Sequence, residues 1–273
     1  EFSSANSINW GRLVPQIVYY VSSYCELLKN GEDLKNGFNV VVPTGNFGNI
    51  LAAYYAKCMG VPIAKLVCAS NANNVLTDFI NTGVYDKNRD FYTTTSPSMD
   101  ILISSNLERM LYHLYGNDAK ATLELQKKLA DKGRFEVSGD VLADLKDLYF
   151  GGCCDDKGTL DTIKDVYSKY GYLLDTHTAV AVRVYEDYRA RTGDETPTVI
   201  ASTASPFKFC RAVIEALGGT LEKDDVTQLD VLTGLTGVPA PAPLAALAGK
   251  TPRFDRVVDK ADILSTVALL KDL

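Results

Sequence analysis

Val40-Val41-Val42-Pro43-Thr44-Gly45-Asn46-Phe47-Gly48-Asn49 is the stretch on which the reading of this chain turns. The apolar run 38–42 reads as a buried strand, and an apolar helical pattern starts at Ile50, runs to Met59 and closes at Gly60. A turn with two glycines lies between them. Strand, glycine-bearing turn and helix form an arrangement suited to a phosphate group. Glycines let the backbone approach an anion, successive N–H groups point into the turn, and the helix start adds partial positive charge. The spacing is neither G-x-x-x-x-G-K-[ST] nor G-x-G-x-x-G, which argues against a nucleotide P-loop and against a dinucleotide fingerprint. A helix-initiating turn without a ligand is the other reading of these residues.

Working outward, a second unit of the same kind follows. Residues 61–69 read as a strand, Ser70-Asn71-Ala72-Asn73-Asn74 as a polar turn, and 75–80 as the start of a helix ended by Gly83. Two strand–helix units in succession predict an α/β chain with a parallel sheet flanked by helices. Ligands of such sheets sit beyond the carboxyl ends of the strands, where both polar turns fall. Upstream, the Ser- and Asn-rich residues 1–9 read as a loop ending in a helix cap, or as the lining of a cavity. Leu13, Ile17, Val21, Cys25 and Leu28 then predict an amphipathic helix closing near Gly31. Pro15 fits that helix only if it starts late.

Residues 88–171 show no long strand pattern and read as a mainly helical insertion or cover. The expected order is a polar loop at 93–98, helices over 99–115, 119–132 and 141–150, a break at Gly151-Gly152-Cys153-Cys154, and a helix capped by Thr159 that reaches Tyr170. The α/β pattern resumes at Tyr172. Asp175-Thr176-His177-Thr178 precedes a helix over 179–191, with His177 read as part of its cap. A strand at 198–202 leads into a second polar turn, Ser202-Thr203-Ala204-Ser205-Pro206, and a helix over 207–217. A stiff Pro-Ala connection spans 238–243, and 263–270 reads as a last helix.

Composition narrows the function. The 273 residues are 46% hydrophobic, enough for a sizeable core, and carry a net charge of −6, which argues against a general nucleic-acid role. No apolar run is long enough to cross a membrane. Cys25, Cys58, Cys68, Cys153, Cys154 and Cys210 form no C-x-x-C pair, so reduced thiols in a cytoplasmic protein are expected, without a disulfide framework or zinc site. His113 and His177 lack H-E-x-x-H spacing, so no metal is expected, and no G-x-S-x-G elbow supports a Ser-His-Asp hydrolase. What remains is a phosphate-cradling turn, a second Ser-Thr turn and abundant Asn. This suits a phosphorylated cofactor better than hydrolysis by side chains alone.

Five stretches in order resemble threonine synthase, in its enterobacterial and fungal branch: Ser4-Ala5-Asn6-Ser7-Ile8-Asn9-Trp10-Gly11-Arg12-Leu13; residues 43–49; Ser96-Pro97-Ser98-Met99-Asp100-Ile101 with Ser105-Asn106-Leu107-Glu108-Arg109; Asp175-Thr176-His177-Thr178-Ala179; and Ser202-Thr203-Ala204-Ser205-Pro206. The resemblance implies a fold-type II, tryptophan-synthase-β-like catalytic domain over residues 1–273. It implies the cofactor pyridoxal 5′-phosphate (PLP) and a lyase that converts O-phosphohomoserine and water to threonine and phosphate in threonine biosynthesis. By the same resemblance Gly45, Asn46, Phe47, Gly48 and Asn49 cradle the cofactor phosphate and Thr203 faces the pyridine nitrogen. A hydroxyl there, unlike a carboxylate, does not strongly favour a protonated ring. Asn6, Ser7, Asn9 and Arg12 fall on the substrate side.

One departure from the family pattern shapes the expectation. The family's Schiff-base lysine lies upstream of the Ser-Ala-Asn-Ser-Ile-Asn segment, ahead of residue 1. Lys57 and Lys65 are expected on a helix surface and within a strand, outside the family's lysine context. The chain is therefore expected to be a carboxyl-terminal portion, incomplete at its amino end, inactive alone and partnered by the missing amino-terminal half. The alternative is a non-catalytic phosphate- or cofactor-binding module.

Overall fold

The structure, a computed structural model, describes residues 6–251 and 257–269. A short helix α1 (Trp10–Leu13) runs into a 3-10 turn, Val14–Gln16, and then into α2 (Ile17–Lys29). The 3-10 turn absorbs Pro15, so the long helix starts beyond the ring that would break it. Next come β1 (Phe38–Pro43), α3 (Gly48–Cys58), β2 (Ile63–Ser70) and α4 (Val75–Thr82), in the order the apolar pattern predicts. The middle holds β3 (Val84–Asp86), α5 (Leu107–Leu114), α6 (Ala119–Lys132), β4 (Arg134–Glu136), α7 (Gly139–Leu148), β5 (Tyr149–Cys153) and α8 (Asp156–Tyr170). The last part holds α9 (Thr176–Thr192), β6 (Thr198–Ile200), α10 (Cys210–Ala216), α11 (Thr227–Thr236), α12 (Ala242–Ala245) and α13 (Ile263–Leu269). Four strands form one parallel sheet in the order β5-β2-β1-β6, while β3 and β4 pair antiparallel beside it.

The sheet is built around β1, all six of whose residues are buried. Val40 and Val42 pack with Phe47, Ile50 and Leu51 on one face. Val41 packs with Val67, Ala69, Val180 and Val184 on the other, beneath α9. A parallel strand covered on both faces is apolar on both, which is why it reads as a near-continuous run rather than an alternation. Each valine so buried contributes about 1.5–3 kcal/mol relative to exposure.

One polar residue interrupts that run. Asn39 is buried where the β1–β2 register slips between Phe38 and Val40. Its Oδ1 accepts the Lys65 N–H at 3.1 Å and its Nδ2 donates to Asp194 Oδ2 at 2.8 Å. Asp194 also accepts from the Tyr188 hydroxyl and from the Thr196 N–H at 2.9 Å. The α9–β6 corner is thereby tied to the central strand.

The 88–171 interval is more than a helical cover. It contributes β5, which pairs with β2 at Cys68↔Gly151 and Ala69↔Gly152, where a break is expected from sequence. The paired glycines hide this strand because they carry no side chain to pattern. They are needed by packing: a Cβ on Gly152 would lie 2.6 Å from Val184 Cγ1, and one on Gly151 would lie 3.1 Å from the Thr77 carbonyl oxygen. The helix expected over 99–115 is a 3-10 turn, Pro97–Met99, followed by a loop and then α5. Helix α8 is capped by Asp155, whose side chain accepts the Gly158 N–H, and Thr159 sits within it.

Burial pushes the Asp194 carboxyl up, but hydrogen bonds from Thr196, Tyr188 and Asn39 outweigh it and hold its pKa well below the usual carboxylate range. A depressed folded-state pKa gives stability that is complete above the unfolded value, near pH 4, and is lost as pH falls through the folded value. Asp194→Asn is expected to cost about 1–3 kcal/mol at neutral pH. Below about pH 4 its gap to the parent should narrow, read by urea unfolding across pH.

Candidate functional site

The strand order locates the site. β2 and β5 lie on one side of β1 and β6 on the other, so the winding reverses across β1. In open α/β sheets ligands bind in the crevice beyond the carboxyl ends of the strands flanking that reversal. A cavity of about 480 Å³ lies there, lined by residues 43–50, by Ser98, Met99 and His177, by Thr203 and Lys208, and by Asn6, Ser7, Arg12 and Gln16.

The turn after β1 is held from behind. Ser104 Oγ donates to the Gly45 carbonyl at 2.8 Å. Asn106 donates to the Asn46 carbonyl from its backbone N at 3.1 Å and from Nδ2 at 2.8 Å. In a trans peptide C=O and N–H point opposite ways. Fixing these two carbonyls toward the 104–106 loop turns the N–H groups of Asn46 and Phe47 to the cavity side. Phe47 then takes a left-handed φ of 59° and starts α3 with no side-chain cap, its ring buried against Tyr149 at 5.5 Å. The backbone N–H groups of residues 45–50 find no acceptor among the described residues. Buried amides left this way cost free energy unless something accepts from them. Gly45 is obligatory, because a Cβ there would lie 2.9 Å from the Ser98 carbonyl oxygen.

The opposite wall rests on one buried carboxylate. Asp175 caps α9 by accepting from the N–H groups of His177 at 2.9 Å and Thr178 at 3.2 Å. It also accepts the Thr178 hydroxyl proton, and Thr178 Oγ1 in turn accepts the Thr203 N–H at 3.4 Å. Burial raises the Asp175 carboxyl, but the hydrogen bonds from His177 and Thr178 outweigh it, so its pKa is lowered. His177 therefore differs from expectation: Asp175 is the cap, and the imidazole lines the cavity with Nε2 accepting the Ser98 N–H at 3.2 Å.

Of the residues singled out from sequence, Gly45, Asn46, Phe47, Gly48, Asn49 and Thr203 share this cavity, as do Asn6, Ser7 and Arg12. Asn49 contributes its backbone, since its side chain accepts from the buried Tyr20 hydroxyl and donates to Gln16 Oε1 at 3.1 Å. Asn9 is the cap of α1, accepting the Gly11 N–H at 2.9 Å, and it does not line the cavity. Ser4 and Ala5 lie outside the described residues. The 70–74 turn also stays out. Its Asn71 and Asn73 side chains donate to Asp100 Oδ1 at 2.8 and 3.0 Å and bind the 92–100 segment instead. Lys57 Nζ donates to the Ile63 carbonyl and Lys65 Nζ to the Lys146 and Asp147 carbonyls, both away from the cavity.

Ser98, Gln16 and Lys208 line the cavity without having been singled out. Ser98 and Lys208 belong to Ser-Pro turns, and that shared pattern, Ser96-Pro97-Ser98 and Ser205-Pro206-Phe207-Lys208, was the available signal. Among the described residues no group of three His, Cys, Asp or Glu is placed to hold a metal, and no helix is long and apolar enough to cross a membrane.

The chain is similar to known proteins over most of its length. The family model described as threonine synthase, C-terminal, matches residues 178–267. Human threonine synthase-like 1 is 47% identical over 218 residues, which is 79% of this chain and 29% of that protein. Yeast threonine synthase superposes with a TM-score of 0.84 at 33% identity, covering 98% of this chain and 53% of that one. A structure of PLP-bound threonine synthase from Brucella melitensis superposes with a TM-score of 0.74 at 39% identity, covering 85% of this chain and 48% of that one. The chain thus spans between under a third and about half of the length of these relatives. Residues 178–267 thus match the carboxyl-terminal domain of threonine synthases, and the chain as a whole shares the fold of about half of those enzymes.

Proposed function

We propose that this chain forms the cofactor-phosphate and pyridine side of a PLP-dependent threonine synthase, which turns O-phosphohomoserine and water into threonine and phosphate. The observation that carries the reading is the run of backbone N–H groups at 45–50 without an acceptor among the described residues, set around a glycine that admits no Cβ. A phosphate ester fits that cradle: its oxygens accept several N–H bonds at once and its charge is favoured at the start of α3. When bound, PLP supplies carbanion stabilisation as an electron sink.

The chain's own residues would do the holding. Gly45, Asn46, Phe47, Gly48 and Asn49 bind the phosphate through backbone N–H groups. Thr203 offers a neutral hydroxyl to the pyridine nitrogen from the turn after β6. Asn6, Ser7 and Arg12 close the substrate side. The lysine that binds the cofactor covalently is assigned to the part of the relatives' length that this chain does not match. Lys57 and Lys65 are engaged elsewhere, and Lys208 borders the cavity with its ammonium 5.9 Å from the Phe209 ring centroid. The alternative, a non-catalytic phosphate- or cofactor-binding module, makes the same cradle but no chemistry.

Gly45→Ala is expected to weaken PLP binding by at least about tenfold, measured by quenching of protein fluorescence, because the displaced turn loses more than one N–H contact. Unchanged affinity would remove the cradle from the account. Borohydride reduction of the chain with PLP, followed by peptide mass analysis, is expected to leave Lys208 unmodified, and an adduct there would place the covalent lysine within this chain. Mixing the chain with the amino-terminal half of a relative is expected to give phosphate release from O-phosphohomoserine. A folded mixture that binds PLP but releases none would favour the binding module.

A further inference from the structure

The two walls of the cavity come from segments far apart in sequence, and the His177 side chain joins them. Ser98 sits in the middle of the 94–100 segment. The ends of that segment are tied to each other and to the 70–74 turn: Thr94 N donates to Asp100 Oδ2 at 2.9 Å, and Asn71 Nδ2 donates to Asp100 Oδ1 at 2.8 Å. The Ser98 carbonyl is the group against which Gly45 packs with no room for a Cβ. Where Ser98 goes, the cradle follows. Its N–H donates to His177 Nε2 at 3.2 Å.

A backbone N–H can only donate, so Nε2 carries the lone pair and the ring proton sits on Nδ1. Nδ1 faces Asp175 Oδ1 at 3.5 Å and Thr176 Oγ1 at 3.4 Å. Asp175 is the same carboxylate that takes the Thr178 hydroxyl proton, leaving a Thr178 lone pair for the Thr203 N–H. The imidazole is buried and packs on Phe209 with ring centroids 4.8 Å apart. One carboxylate at the start of α9 is thus connected through His177 to the phosphate-cradle wall and through Thr178 to the Thr203 wall.

We infer that His177 is a positioning residue that latches the Ser98 segment onto α9 and so sets the cradle at 45–49 in register with the Thr203 turn. As regards the ligand, the inference rests on the reading of the cradle as a phosphate site. The latch itself is readable without ligand. Two variants of the full chain separate its parts. His177→Phe keeps the ring volume and the stacking on Phe209 but has no acceptor. His177→Gln loses the ring but returns an acceptor oxygen to the Ser98 N–H.

Amide hydrogen exchange and amide resonances of the ligand-free chain are read by NMR, and binding of inorganic phosphate by calorimetry. For His177→Phe the Ser98 amide is expected to exchange about fivefold to tenfold faster, the loss of one neutral hydrogen bond. The Gly45, Asn46 and Phe47 resonances should move, and phosphate affinity should fall by a similar factor. β1 and β2 amides should keep their protection, which reports an intact fold. His177→Gln should restore Ser98 protection and most of the affinity. The inference is overturned if His177→Phe leaves Ser98 exchange unchanged, or if Ser98 loosens while the 45–47 resonances stay in place. It is also overturned if a folded His177→Gln behaves as the phenylalanine variant does. Should the parent chain bind no phosphate, the phosphate-site reading fails, while exchange and resonance positions still decide the latch.

Discussion

The site depends on the orientation of two peptide groups. The carbonyls of Gly45 and Asn46 are committed to Ser104 and Asn106, and planarity of the peptide bond turns the following N–H groups the opposite way. That arrangement is unfavourable in isolation, because it leaves a run of amides without acceptors among the described residues, next to a helix start that has no side-chain cap. It persists because the surroundings over-determine it. Phe47 anchors the left-handed residue in the core, Gly45 is pressed against Ser98, and Asn106 reaches both the turn and the Ser7 carbonyl at 3.2 Å. A protein that holds amides in this way gains when an anion arrives.

The sheet supplies the rigidity that this requires. β1 is buried along its whole length and ends at the turn, so the turn begins from a strand with no freedom to shift. β6 pairs with β1 over Val40↔Val199 and Val41↔Ile200, and the Thr203 turn leaves from its end. The two cavity-lining turns therefore emerge from neighbouring strands in fixed register. Asn39 and Asp194 lock the other end of the same pair, at the entry to β6. A change at that corner would be felt as a loss of stability and of alignment between the two turns.

Much of this was legible in the sequence, for physical reasons that also explain the rest. β1 and β2 announced themselves because parallel strands buried on both faces read as near-continuous apolar runs, and the turn after β1 because glycines flank a helix start. β5 was illegible because its Gly151 and Gly152 serve helix contact at α4 and α9 instead of patterning. The false continuation of α5 back to Met99 arose because 100–106 contains Ile101, Leu102 and Ile103 at helical density, while its Ser and Asn side chains are spent on the 45–46 carbonyls. Thr203 and the cradle could be named from the family resemblance. Their link through His177 could not, since a contact between residues 98 and 177 leaves no local trace in the chain.

The measurement that tests the central claim most directly is a titration of the chain with inorganic phosphate, followed through its backbone amide resonances. The account predicts saturable downfield shifts concentrated at the amides of residues 45–50, with smaller changes at Ser98 and Thr203. Saturable shifts confined to the backbone amides of Arg12 and Lys208, or none at 45–50, would contradict it.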